Sequence, residues 1–137
     1  MDALMDALID LARTARGNAH APYSRFLVGA AVEGESGRLF AGANVENAAY
    51  PQGQCAEASA IGALVTAGDR RIRQIVVMGG EAGDGGLCTP CGGCRQRLRE
   101  FAGPDTPVHV CGPEGLRRTF TLGELLPHSF GPDTLGF

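Results

Sequence analysis

No lysine occurs in this chain; all twelve basic residues are arginine. That excludes mechanisms built on a lysine Schiff base or a lysine general base. Basic charge is itself in short supply: 15 acidic residues stand against 12 basic ones, for a net charge of −3. Such a balance gives no electrostatic footprint for gripping a long phosphate backbone. No apolar run is long enough to span a bilayer, and the opening "MDALMDALIDLARTAR" carries acids where a secretory leader needs bases. Internal repeats, linkers and low-complexity segments are also missing. What remains is 137 residues, 44% hydrophobic and 20% charged, the size of one domain (1–137) that buries a single core without disulfides. The expected setting is the cytoplasm, where thiols stay reduced and clustered cysteines point to metal or catalysis before disulfides.

Periodicity divides the chain into a helix over 2–16 and two strands, "RFLVGAAVE" and "GRLFAGANVE", joined by a "GESG" turn. A helix apolar almost all round follows at 55–68, then a buried strand in "IRQIVVMGG". "EAGDGG" reads as a mobile loop, 92–102 as a helix, "TPVHVCG" as a strand and "TLGELL" as a short helix capped by Thr121 and Glu124. This order predicts an α/β fold, a three-layer α/β/α sandwich around a mixed sheet.

Chemistry concentrates in the cysteines. "LCTPCGGCRQ" holds Cys88, Cys91 and Cys94, and Cys55 lies upstream in "QCAEASAI". The spacing of Cys91 and Cys94 puts both on one side of a first helical turn, and Cys55 opens another helix. Two helix N-termini converging on one metal offset the net −1 of three thiolates and a Zn²⁺. Cys88 precedes Thr89-Pro90, and proline disfavours a helical residue before it, so Cys88 stands outside that arc. A ferredoxin-type cluster needs a further cysteine where Leu98 stands. A closed four-thiolate zinc site remains open on spacing alone. A structural site has no use for the carboxylate of Glu57 beside a ligand, whereas a catalytic one needs three ligands, an open position and a base.

"CAE" followed by "PCGGCRQ" resembles the signature of the small cytidine deaminases. "APYSRFLVGAA", "NVENAAYPQGQCAE" and "ELLPHSFGPDTL" are similar to that family's other blocks, in the same order. The resemblance implies one Zn²⁺ per subunit on Cys55, Cys91 and Cys94, with Glu57 carrying protons between water, N3 of cytosine and the departing amine. It implies that the Ala56 N–H meets the base's O2 and that the Thr89 carbonyl accepts from the amino group. By the same resemblance, residues 44–50 (Asn44, Val45, Glu46, Asn47, Ala48, Ala49 and Tyr50) are expected to read the nucleoside, with Asn44 and Glu46 on the ribose 3′-hydroxyl. It further implies that Phe26 stacks on the base and that Tyr23, Tyr50 and Phe130 close the pocket, some of them from a neighbouring subunit. The implied assembly is a homotetramer with sites shared between subunits, acting on a small nucleoside and on neither nucleic acid nor membrane. The implied reaction is hydrolytic deamination of cytidine and 2′-deoxycytidine in pyrimidine salvage. One departure is Ala58, where many relatives carry an arginine that tempers the thiolate charge; the alternatives are that Arg95 replaces it, that the helix ends alone do, or that nothing does, the last implying a weaker Lewis acid and slower turnover.

Plainer readings compete at each point. Phe26 alternates with Val28 and, without the resemblance, reads as core. Asn44 and Glu46 read as a polar strand end, and His20, His109 and His128 as surface or packed histidines. "RRIR" at 70–73 reads as a solvated helix exit and Cys111 as a small buried hydrophobe. Rival functions are deamination of another cytosine compound such as blasticidin, editing of polynucleotides, and a non-enzymatic module with a four-cysteine zinc.

Overall fold

The computed structural model describes residues 2–137. In chain order it contains α1 (Ala3–Gly17), β1 (Val28–Gly34), β2 (Leu39–Ala43), α2 (Ala56–Thr66), β3 (Ile72–Gly79), α3 (Gly92–Phe101), β4 (Pro107–Gly112), β5 (Gly115–Thr121) and α4 (Leu122–Leu125). The strands form one sheet in the order β2-β1-β3-β4-β5. β3 and β4 are parallel; the other neighbours are antiparallel. A parallel pair needs a crossover, and α3 supplies it.

Alternation along the strands sorts their side chains onto two faces. Ala31, Val76, Met78 and Cys111 pack with Leu8, Ile9 and Ala12 of α1 on one face. Ala30, Val32, Ile75, Val77 and Val110 pack with Ala56, Ala60 and Leu64 of α2 and Leu98 of α3 on the other. The predicted three layers around a mixed sheet are present. α2 approaches β2 closely at Gly42, where a Cβ would stand 2.4 Å from the Ala60 nitrogen and 2.5 Å from the Ala56 carbonyl oxygen. Only glycine admits that approach, and it sets the height of the α2 N-terminus above the sheet. At the start of α1, Asp2 accepts from the Met5 N–H at 2.7 Å, and the Thr121–Glu124 capping box opens α4.

Three expectations change. β5 lies outside the predicted elements: "GLRRTFT" is an edge strand carrying two arginines, and a register shift opposite Val110 and Cys111 breaks the alternation, setting Leu116 beside Cys111 and Phe120 beside Val108 on the other face. The signal was the "GPEG" turn between two extended segments. The "EAGDGG" loop is fastened to β5, because the Arg117 guanidinium bonds Asp84 Oδ1, the Gly86 carbonyl and the Glu81 carbonyl, each at 2.6 Å. Finally, "RRIR" does not simply exit a helix: the Arg70 backbone N–H donates to Glu35 and the Arg73 side chain reaches Glu33 and the Glu35 carbonyl, clamping the β1–β2 turn.

Candidate metal centre

Two helix starts build the site. Cys55 is the N-cap of α2 and Cys91 the N-cap of α3, both in extended backbone conformation, with Cys94 in the first turn of α3. Each cap stands at the N-terminal, positive end of a helix dipole. The three sulfurs lie within 4.8 Å of one another. Cys88 is outside the cluster; its sulfur packs against β3, 2.5 Å from where a Cβ on Gly79 would stand.

The electrostatics of the donor set fit a dication. The Cys94 backbone N–H holds the Cys91 thiol below its ordinary range. Burial, followed by the charge of Glu57, pushes the Cys94 thiol far up, and burial raises Cys55 as well. Buried sulfurs packed beside a carboxylate resist ionisation alone; a bound Zn²⁺ reverses the balance, because thiolates are its preferred ligands. Three sulfurs leave a tetrahedral ion one position for water or substrate.

Glu57 sits in the first turn of α2 and is only 5% exposed. Burial lifts its carboxyl above the ordinary carboxylate range. It shares a cavity of about 260 Å³ with Phe26, Val28, Asn44, Cys55, Ala56, Cys88, Thr89 and Cys91. Four stretches of chain far apart in sequence (26–28, 44, 55–57 and 88–91) thus meet around one carboxylate and the cysteine cluster. A carboxylate buried beside the cysteine cluster, its proton affinity raised by burial, is suited to proton transfer.

Phe26 is not a strand residue. β1 begins at Val28, and Arg25 adopts a left-handed conformation (φ 61°) that turns Phe26 out of the core, leaving it 47% exposed on the cavity wall. Asn44 lies just past β2, where its Oδ1 accepts from the Val28 N–H at 2.9 Å and its Nδ2 donates to the Phe26 carbonyl at 2.8 Å. Its amide keeps one donor and one acceptor in reserve. Glu46 accepts from the backbone N–H groups of Tyr23 (3.0 Å) and Ser24 (3.1 Å) and from the Ser24 hydroxyl. These bonds hold its carboxyl below the ordinary range. Both polar residues therefore fasten the segment that carries Phe26. Glu46 itself lines a second cavity, of about 390 Å³, with Tyr23, Ser24, Asn47, Tyr50 and Gly53.

The remaining predicted residues spread outward. Tyr23 and Tyr50 meet edge to face at 5.9 Å. Val45 pairs in isolated bridges with His20 and Gln54, the Asn47 side chain accepts from the Ala49 N–H at 2.9 Å, and Ala48 is exposed. Phe130 is not at the cysteine cavity; it lines a separate groove with Gln96, Glu100 and Phe137. His109 is a packed histidine, held between Thr119 at 2.8 Å and Gln74 at 2.9 Å. Arg95 does not reach the sulfurs. Its guanidinium bonds the Pro90 and Leu125 carbonyls, both at 2.7 Å, and Thr89 Oγ1 at 3.1 Å, so it braces the Thr89–Pro90 turn instead.

Helices on both faces of a mixed sheet, with three cysteine sulfurs and a buried carboxylate at two converging helix starts, define a metal-dependent α/β/α enzyme. The profile of the "Cytidine and deoxycytidylate deaminase zinc-binding region" matches residues 3–110. A cytidine deaminase of Sporosarcina psychrophila is 36% identical over 133 residues, covering 97% of this chain and 96% of its own. The crystal structure of cytidine deaminase from Burkholderia pseudomallei superposes with a TM-score of 0.83 at 40% identity, covering 95% of this chain and 100% of that one. The corresponding structure from Mycobacterium tuberculosis gives 0.78 at 38% identity, over 95% and 99%. The chain belongs to the cytidine deaminase family.

Proposed function

We infer that this protein catalyses the zinc-dependent hydrolytic deamination of cytidine and 2′-deoxycytidine to uridine and 2′-deoxyuridine, releasing ammonia. The observation that carries the reading is the single cavity holding Glu57 beside the cysteine cluster. Zinc held by Cys55, Cys91 and Cys94 supplies Lewis acidity that makes water acidic near neutral pH. Glu57 accepts the water's proton and delivers it to N3 of the base. A bond then forms between the water oxygen and C4; Glu57 takes the remaining proton from that oxygen and passes it to the amino nitrogen as the C4–N4 bond breaks, leaving a C4 carbonyl and ammonia. One carboxylate must serve all three atoms, and its raised proton affinity suits both directions of transfer.

The surrounding residues orient the base and sugar. Ala56 offers its backbone N–H at the start of α2 to O2, and the Thr89 carbonyl accepts from the amino group. Phe26 covers the ring face, and the reserve donor and acceptor of Asn44 read the sugar hydroxyl together with Glu46. Residues 44–50 and Tyr23 border this end of the site. The exposed Tyr50, Phe130 and Phe137 (75%, 57% and 92% exposed) suit burial between copies of the chain, and a homotetramer with shared sites is the assembly we propose. We place the reaction in pyrimidine salvage in the cytoplasm; among the described residues no helix is long and apolar enough to cross a membrane.

Ammonia release from the purified, zinc-loaded protein tests the assignment. Cytidine and deoxycytidine should turn over, and free cytosine should be poor because Asn44 and Glu46 have no sugar to engage. Blasticidin as the preferred substrate would favour the rival nucleoside reading, and activity confined to single-stranded DNA would overturn the assignment.

A further inference from the structure

We propose that Arg97 is a positioning residue for the metal centre, tempering the charge of the thiolates through Cys94. The inference rests on the three-thiolate zinc reading and extends it to a residue outside the cavity. Arg97 Nη1 donates to Cys94 Sγ at 3.9 Å, within the longer reach of sulfur acceptors, and this is its only hydrogen bond among the described residues. The same nitrogen stands 3.1 Å from the point where a Cβ on Gly93 would be, and Cys91 Sγ stands 4.0 Å from that point. The guanidinium therefore folds back over the bare Gly93 backbone and lies alongside the first turn of α3, against Cys94. It is also close enough to act on the Glu57 carboxylate.

Competition does not explain this placement. Arg95 is committed to the Pro90 and Leu125 carbonyls and Thr89, and Arg99 to Ser129 and Asp133. Position 58, beside Glu57 on α2, is an alanine and offers no charge. Helical spacing puts residue 97 on the face of Cys94, and long side chains on a helix lean toward its N-terminus. A cation there faces the positive end of the α3 dipole, which disfavours it. The broken local preference is understandable if a net negative thiolate cluster lies at that end. A donor to a thiolate withdraws electron density from sulfur, leaving the metal a stronger Lewis acid.

Cobalt(II) substitution reads the sulfurs directly. Wild type, Arg97→Met and Arg97→Lys are loaded with cobalt, and the sulfur-to-cobalt charge-transfer band is recorded in the near ultraviolet. Loss of the donor raises the sulfur lone pairs, so the band in Arg97→Met should move to longer wavelength, and Arg97→Lys should restore most of the shift. In the zinc enzymes, kcat should fall about two- to fivefold in Arg97→Met, the scale of a solvent-exposed charge interaction, with KM unchanged. An identical band in wild type and Arg97→Met at full cobalt loading overturns the proposal. Absence of any such band in cobalt-loaded wild type would instead overturn the three-thiolate reading on which it stands.

Discussion

Glu57→Gln should retain zinc at one ion per chain and lose turnover by at least about 10²–10⁴-fold, the range attributed to a positioned general acid–base. The substitution is nearly isosteric, so the buried site in α2 keeps its shape. It removes a carboxyl that burial has already pushed toward easy protonation. Glutamine cannot accept the water's proton or return one to the leaving nitrogen, so every proton transfer in the proposed sequence fails together. The loss should appear in kcat, because Phe26, Asn44 and Thr89 still line the cavity and bind substrate. Zinc content and ammonia release measured on the same preparation check this. Near-normal turnover with full zinc would mean that Glu57 is only a buried neighbour of the metal.

Cys94→Ser should have the largest effect on the protein as a whole. Cys94 is fully buried, and removing its sulfur leaves Cys55 and Cys91 unable to close a three-ligand site. Zinc should fall well below one ion per chain, and activity with it. Stability falls too, since a ligand that binds only the folded chain contributes about 4 kcal/mol at a thousandfold excess over its Kd. For a domain of this length that corresponds to roughly 10–15 °C in Tm. Cys88→Ser is the matched control and should keep zinc, activity and Tm, because Cys88 packs on Gly79 outside the cluster. Zinc loss in the Cys88 variant would favour a closed four-thiolate site.

The layers of the fold were legible because apolar periodicity in α1, β1, β3 and β4 reflects burial directly. β5 escaped because an edge strand with Arg117 and Arg118 carries little buried surface from which to read alternation. The cysteine cluster was legible because caps and first-turn positions fix where side chains aim, over distances of only a few residues. The even spacing of Cys88, Cys91 and Cys94 was misleading by itself; the proline after Thr89 and the packing on Gly79 separate the first sulfur from the other two. What spacing could not supply was any contact depending on long side chains. Arg95 and Arg97 differ by two positions, and only the fold decides that one braces a carbonyl turn while the other lies against a sulfur. Phe26 depends likewise on the left-handed turn at Arg25, a conformation that no local propensity would assign to arginine.

An open, catalytic zinc site and a closed, structural one differ in whether bound metal turns substrate over. Stepwise return of zinc to chelator-treated protein, followed by ammonia release from cytidine, distinguishes them most directly. With an open site, the stripped protein should show no turnover, and the rate should rise in proportion to zinc until one ion per chain is bound. A refolded, zinc-saturated protein that releases no ammonia from cytidine, or a stripped protein that retains full turnover, would contradict it.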